Sequence, residues 1–436
     1  MKNAAIFGYI ALVFFLGHHD LSYSLLDHHA LSAEVLEVSS QEGQLPRRLA
    51  FSALALFALT GVWSRGRNRL DAIGALGWLL CFFLCWSALS ITWSLEPRLT
   101  FRRFGLFVIL CLTALAVIRQ HPVRFLPCCA FFVTSSYLLV GVMVEGFWGA
   151  FRPLSEGYRL AGTLHPNIQG TNCALMMLSA ATLAACHRHR RWFQLAGGVA
   201  FVALILTKSR TSLLGVLCAL VAFAMVRGTV SRPQKALALV LAASGLGGLL
   251  LAEFLGGSAA SLMETLLLLG RTAEGEETFL GRLGIWNGCL RYLAQRPFNG
   301  YGFNSFWSPG TIHEFSDAIG IGINGAHSVY LELLLNLGVP GLVSYLLILC
   351  LGVKGAVLRY RLTGEAGYGF LFLLFIFTFC HGLLEGEAMA LSFHTLLLLA
   401  GWTHLAFQSP EQEAAVTPLP GQQAPRSGGP EEAPWN

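Results

Sequence analysis

The stretch SVYLELLLNLGVPGLVSYLLILCL, residues 328–351, carries a single acidic side chain and no basic one. It is long enough to cross the hydrocarbon core of a bilayer, which takes about 20 residues of helix. Lipid offers no partner for backbone N–H and C=O groups, so so apolar a segment must satisfy them internally, as a helix. Comparable runs occur at 4–17, 49–63, 72–93, 104–118, 125–147, 166–186, 193–207, 211–226, 236–254, 366–384 and 388–407. Some fall short of the roughly 20 residues required, and their helices are expected to extend into flanking polar residues. The expected fold is an all-α polytopic membrane bundle of about twelve transmembrane helices.

Composition agrees. The 436 residues are 55% hydrophobic and 12% charged, where a soluble globular chain carries about 25% charged residues. Several soluble domains, which the length alone would allow, are therefore excluded in favour of one integral domain over 1–407. The Pro/Gly/Glu/Gln-rich remainder, 408–436, has the composition of a disordered tail. A net charge of +5 spread over many loops implies no nucleic-acid partner. The N-terminal MKNAAIFGYIALVFFLG lacks a small-x-small cleavage site and reads as the first helix. Of the 11 cysteines all but Cys289 fall in or near spans, so no internal disulfide is expected on the outer face and the thiols serve as small core residues. No Cys/His spacing fits a zinc site; the pairs His18–His19 and His28–His29 are better explained as loop polarity. Neither metal nor cofactor is expected.

Orientation follows from the basic loops. Arg65, Arg67 and Arg69, then Arg119 and Arg124, then Arg188, Arg190 and Arg191, then Arg227, Arg232 and Lys235, then Lys354, Arg359 and Arg361 occupy alternate loops, which places them in the cytoplasm. Both termini are then cytoplasmic and the working face lies outside the cytoplasm. The largest outer segment is 255–327. It holds an amphipathic helix, RLGIWNGCLRYLAQRP, from Arg282 to Pro297, followed by the Gly-rich FNGYGFNSFWSPG.

Basic residues on the outer face run against this bias: Arg47, Arg48, Arg98, Arg102, Arg103, Arg152, Arg159, Lys208, Arg210, Arg271, Arg282, Arg291 and Arg296. Pairing with outer acids or phospholipid head groups explains any one of them. An anionic substrate at the membrane surface explains them as well, because the planar guanidinium donates two hydrogen bonds at once to a phosphate. Arg210, in LTKSRTS between two closely spaced helices, sits at membrane depth, where ionisable groups are costly and usually functional. Its plain alternative is a snorkelling arginine at a helix end.

At this point the sequence resembles the bacterial O-antigen ligase / O-antigen polymerase superfamily. HSVYLELLLNLGVPG, 327–341, fits that family's pattern of His, then Asn/Ser/Gln, nine residues, Gly, two residues and Gly, at His327, Ser328, Gly338 and Gly341. GRLGIWNGCLRYLAQRPFNGYGFNSF resembles its outer-loop block, with Arg282 and Trp286 in place. KSRTSLLG resembles its Ser-Arg segment at Arg210, and LAGTLHPNIQGTN, 160–172, the segment opening the preceding helix. The blocks agree in order over about 160–350. The resemblance implies a GT-C-like membrane glycosyltransferase, metal-independent and inverting, that moves a glycan from undecaprenyl pyrophosphate to an acceptor. It implies that Arg210 and Arg282 bind the donor pyrophosphate and that His327 acts beside the acceptor hydroxyl. A ligase would use lipid A–core as acceptor; the alternative within the superfamily is an O-antigen, capsule or exopolysaccharide polymerase using a carrier-linked saccharide.

The chemistry stands on the residue types as well. Cleaving a lipid pyrophosphate requires charge neutralised on the leaving group, which arginines supply without a metal. The attacking hydroxyl loses a proton, which histidine takes near neutral pH. Further candidates for substrate binding are Arg98, Arg102 and Arg103, equally placed to meet lipid head groups. His165 and Asn167, at a helix mouth, serve either an anion or the helix cap. Trp286 and Tyr301, with Phe303 and Trp307, serve either sugar stacking or the interfacial aromatic belt. Glu332, inside a span, needs a partner, for which Arg210 or Arg282 are candidates. Glu385 and Glu387 are expected only to cap an outer turn. A secondary transporter is the distant alternative, disfavoured because the two halves are unlike and mid-span charges are few.

Overall fold

The computed structural model describes residues 2–23, 45–63, 74–155, 157–186, 188–228, 279–319, 323, 325–386 and 390–408. The helices are α1 (Lys2–His18), α2 (Leu45–Trp63), α3 (Ala75–Leu89), α4 (Pro97–Gln120), α5 (Phe125–Phe147), α6 (Pro166–Cys186), α7 (Arg190–Thr207), α8 (Arg210–Val226), α9 (Phe279–Gln295), α10 (Pro309–Ile319), α11 (Val329–Thr363), α12 (Ala366–His381) and α13 (Phe393–Phe407). Among the described residues there is no strand. Among the described residues six helical stretches are long and apolar enough to cross a membrane: α2, α3 with its terminal turn, α4, α5, α6 and α11. α1, α8, α12 and α13 are shorter apolar helices. The chain is a multi-pass, all-helical membrane protein. The expected ninth span, 236–254, lies outside the described residues, as do the 24–44 segment with His28–His29 and the tail from 409.

The centre of the bundle is α6, with α12 and α13. In the α6 span 78% of residues are buried, against 22% in α2, so α6 is an interior helix and α2 a peripheral one. α12 packs on α8, α6 and α11, and α6 on α7 and α5. Small residues let these helices approach. The Gly170 Cα faces Ser209, and the Gly215 Cα faces the Phe377 ring, in each case with no room for a methyl group.

Two elements differ from the sequence expectation. SLEPRLTFRR, expected as an outer loop, enters α4 at Pro97. Proline is pre-organised for the first helical position, where its missing N–H costs nothing. Arg98, Arg102 and Arg103 therefore stand on a helix. The SPG string, expected as a turn, instead opens α10: the Ser308 hydroxyl accepts from the Thr311 N–H (3.4 Å), and Pro309 takes the first helical position.

α11 is broken within the 328–351 stretch. Gly338 has φ 67° and ψ −166°, and Pro340 lacks the N–H that would reach back to Asn336. The carbonyls freed by the break are taken by other segments. Leu335 O accepts from the Tyr301 N–H (2.8 Å), Asn336 O from the Gly302 N–H (2.9 Å) and Leu337 O from Trp86 Nε1 (2.9 Å). The Val339 N–H donates to Pro297 O (2.9 Å). The 297–302 segment is thus hydrogen-bonded into the gap in the helix, which is how irregular backbone becomes tolerable at that depth. Beside it α9, α10 and the connecting loop form a second small core of Ile285, Cys289, Tyr301, Phe306, Trp307, Ile312 and Phe315.

A Cβ at Gly338 would sit 2.0 Å from the Phe298 carbonyl oxygen, in a backbone conformation that L side chains avoid. Gly338→Ala is expected to cost about 2–4 kcal/mol and to lower the melting temperature in detergent. Gly146→Ala, with nothing within 4 Å, should melt close to wild type. Equal melting of the two variants would mean that the docked loop does not depend on the break.

Candidate functional site

At the end of the bundle where α6, α8 and α11 begin, one buried carboxylate collects the elements. Glu385 lies in the turn beyond α12, and its Oε1 accepts from Arg282 Nη2 of α9 (3.2 Å), Asn167 Nδ2 of α6 (3.1 Å) and Thr211 Oγ1 of α8 (3.4 Å). The Arg282 and Glu385 side chains are 5% and 6% exposed. A buried charge is tolerated only when paired and hydrogen-bonded, and here the requirement draws three separate helices to one oxygen. Burial alone would raise Glu385. The Arg282 guanidinium, together with His381, His327 and His165, outweighs it and holds the carboxyl below its ordinary 4.5.

Arg159 extends the network. Its Nη2 donates to Asn167 Oδ1 (2.7 Å) and its Nε to Thr207 O (3.1 Å), and the Leu160 N–H donates to Leu206 O (2.8 Å). The 159–160 backbone thereby clips the turn between α7 and α8. That turn reverses the chain in two residues: Lys208 is left-handed (φ 55°) and Ser209 extended. Arg210 consequently opens α8, half-buried, next to the Thr211 that reaches Glu385. His165 Nδ1 accepts from the Asn167 N–H (3.2 Å) and caps α6, leaving the Asn167 amide to join Arg159 to Glu385.

His327 is pinned from both sides. Ala326 donates its N–H to Glu332 Oε1 (2.6 Å) and accepts at its carbonyl from Trp286 Nε1 (2.8 Å). The Val329 N–H donates to Gly382 O (2.9 Å) and Glu385 O (3.2 Å). Between these anchors His327 takes a left-handed conformation, φ 49°, which a non-glycine residue keeps only when its surroundings impose it. Its side chain is half-buried, and its charge would be felt at Glu385.

Glu332 does not pair with Arg210 or Arg282. Its Oε1 accepts from Trp307 Nε1 (2.8 Å) and the Ala326 N–H, and its Oε2 from Asn336 Nδ2 (3.3 Å). It ties the His327 lip to the loop core. The positive charge of Arg103, which itself donates to Asn304 O, acts on it. Arg98 and Arg102 are exposed on α4, and neither they nor Arg103 hydrogen-bonds to Glu385. Tyr301 is 3% exposed, with its hydroxyl on Tyr292 O (2.8 Å) and the Arg296 guanidinium over its ring, so it is a core residue of the loop unit. Trp286 is half-buried. Glu387 lies outside the described residues. Among the described residues no three His, Cys, Asp or Glu side chains converge as metal ligands do.

Glu385 and Arg159 are the residues that sequence reasoning underrated. The available signal was weak: an acid directly after a span, and one outer arginine among many. Their partners are 103 or more residues from Glu385 and 8 or 48 from Arg159, beyond any local pattern.

The bundle is a multi-pass membrane protein with a buried, charged hydrogen-bond network at one end. A comparison of families sharpens this: the O-antigen ligase family model matches residues 195–346, the part of the chain that carries Arg210, Arg282 and His327. Over these residues the chain is similar to the O-antigen ligase family, whose members are glycosyltransferase-type ligases or polymerases. No curated protein matches the chain.

Because the Glu385 carboxyl is held below its unfolded value, the stability it contributes is fully present above 4.5 and is lost as pH falls through the lower folded value. The melting-temperature gap between wild type and Glu385→Gln should therefore be constant from about pH 7 to about pH 5 and close as pH falls further. A gap unchanged down to about pH 3 would show that ionised Glu385 is not what the site requires. Independently, Glu332→Ala leaves the Trp307 indole N–H and the Ala326 N–H without their acceptor and should cost about 2–4 kcal/mol, read as lost thermal stability; a variant that melts like wild type would remove Glu332 from the support of His327.

Proposed function

We propose that the protein transfers a glycan from an undecaprenyl-pyrophosphate-linked donor to an acceptor hydroxyl at the periplasmic face of a bacterial inner membrane, by a metal-independent inverting displacement. In this reading about twelve spans form the bundle, both termini are cytoplasmic, and the 255–327 segment lies over the outer mouth. The observation that carries the proposal is the buried Arg282–Glu385 pair with Arg159, Asn167 and Thr211, next to the start of α8 at Arg210 and the fixed backbone of His327.

Arg282 and Arg210 bind the donor diphosphate and stabilise the charge that develops on it. The acceptor oxygen attacks the anomeric carbon from the side opposite the diphosphate. The anomeric C–O bond breaks with its electron pair left on the phosphate oxygen, and the hydroxyl proton passes to His327. Inversion follows from the single displacement. A pinned His327 suits this role, since a base has to lie within hydrogen-bond reach of the proton it takes. Asn167, His165 and Glu332 act as positioning residues; Trp286 flanks the mouth, where a sugar face can meet its half-buried indole. Arg98, Arg102 and Arg103, on α4, meet phosphates of the acceptor or of the surrounding lipid. The acceptor of a ligase is lipid A–core. A polymerase would run the same chemistry on a carrier-linked saccharide, and the site residues serve both.

The test is deletion of the gene in its host, with lipopolysaccharide and secreted polysaccharide resolved on gels. Bare lipid A–core with carrier-linked polymer accumulating identifies a ligase; loss of long polymer with single repeats retained identifies a polymerase. Complementation with His327→Ala should lower transfer by about 10²–10⁴-fold, and Arg210→Ala or Arg282→Ala by about 10²-fold or more. Full restoration by all of these variants at normal protein levels would overturn the assignment.

A further inference from the structure

Glu385 is held differently from the other buried carboxylates among the described residues. Glu145, 1% exposed, uses both oxygens at short range: Tyr158 Oη at 2.5 Å, the Ala161 N–H at 2.9 Å and the Gly162 N–H at 2.7 Å. Glu332 also uses both oxygens, with its Ala326 contact at 2.6 Å. Glu385, 5% exposed, is bound through Oε1 alone, at 3.1, 3.2 and 3.4 Å, outside the roughly 2.7–2.9 Å of committed charge-assisted bonds. Its partner has donor capacity to spare: Arg282 is 4% exposed, yet its Nε has no hydrogen-bond partner among the described residues. A guanidinium with an unspent N–H, a side-chain amide and a hydroxyl converging on one loosely held oxygen form a cradle suited to a phosphate. Meanwhile the Glu385 backbone is fixed, its carbonyl accepting from the Val329 N–H (3.2 Å). Only the side chain has to move to exchange one anion for another.

We propose that Glu385 is an exchangeable internal anion. Its carboxylate occupies the phosphate cradle while no donor is bound, yields Arg282, Asn167 and Thr211 to the donor diphosphate, and competes the product diphosphate out after transfer. The proposal rests on the donor reading of Arg282 given above. Charge explains why a competitor is useful. A glycosyl diphosphate diester carries roughly two negative charges; when the anomeric C–O bond breaks, its electron pair stays on the phosphate oxygen and the product carries about one more. Arg159, Arg210 and Arg282 without Glu385 would hold that product more tightly than the donor. A tethered carboxylate at high effective concentration restores the balance, and an anion that competes for the cradle lowers apparent affinity in proportion to its occupancy.

The experiment uses the full chain in detergent and inorganic pyrophosphate as probe, with binding measured by calorimetry for wild type, Glu385→Gln, Glu385→Asp and Arg282→Ala. Glu385→Gln should bind pyrophosphate at least about tenfold more tightly than wild type, because nothing charged has to be displaced. Glu385→Asp keeps the charge but shortens the reach, and should bind a few-fold more tightly. It carries the test if the glutamine variant fails to fold. Arg282→Ala should lose the probe. Unchanged or weaker binding in the Glu385 variants, with binding still abolished in Arg282→Ala, would overturn the exchange and leave the donor reading intact. Undiminished binding in Arg282→Ala would overturn the donor reading itself.

Discussion

Placing the Glu385 carboxylate in the interior is expensive: stripped of water, an unpaired carboxylate costs several kcal/mol even after relaxation. The sequence meets that cost from places that are remote along the chain, α9 with Arg282, α6 with Asn167 and α8 with Thr211. Because each donor is anchored on its own helix, satisfying one oxygen sets the relative positions of those helix ends. Arg159 then binds Asn167 and the α7–α8 turn, and His327 is fixed by a neighbour whose N–H rests on the Glu385 carbonyl. Removing either member of the pair would strand the other as a buried charge, so the mouth of the bundle and the chemistry at it share one electrostatic condition.

The second condition is backbone hydrogen bonding. A helix interrupted by Gly338 and Pro340 exposes carbonyls that lipid cannot satisfy. Tyr301, Gly302 and Trp86 satisfy them, and the loop unit of α9 and α10 is thereby set against α11. Glu332 reinforces the junction from the side chain, through Trp307 and Ala326. The broken helix thus brings Arg282, carried by the loop unit, to the same end of the bundle as His327, carried by the start of α11. The match of residues 195–346 to the O-antigen ligase family model accords with that arrangement, since this segment contains the loop unit and the break together.

The sequence by itself determined the architecture class and most helix positions, because spanning a hydrocarbon layer imposes length and apolarity on every segment that crosses it, and both are local properties. It also singled out Arg210, because an ionisable group at membrane depth stands out against an apolar background; Arg282 and His327 stood out only through the family motifs around them. It misplaced the start of α4 and the α10 helix, where a proline at the first helical position looks the same as a proline in a loop. Only the tertiary structure decided which acid meets which base. Glu332 and Glu385 are both acids in or beside an apolar run, and the difference between tying down a loop and holding Arg282 lies in whether Trp307 or Arg282 faces the carboxylate. That choice depends on how helices more than 100 residues apart, such as those joined by the Arg282–Glu385 contact, pack side by side, and the electrostatics of burial act across that distance in space without leaving any periodic trace along the chain.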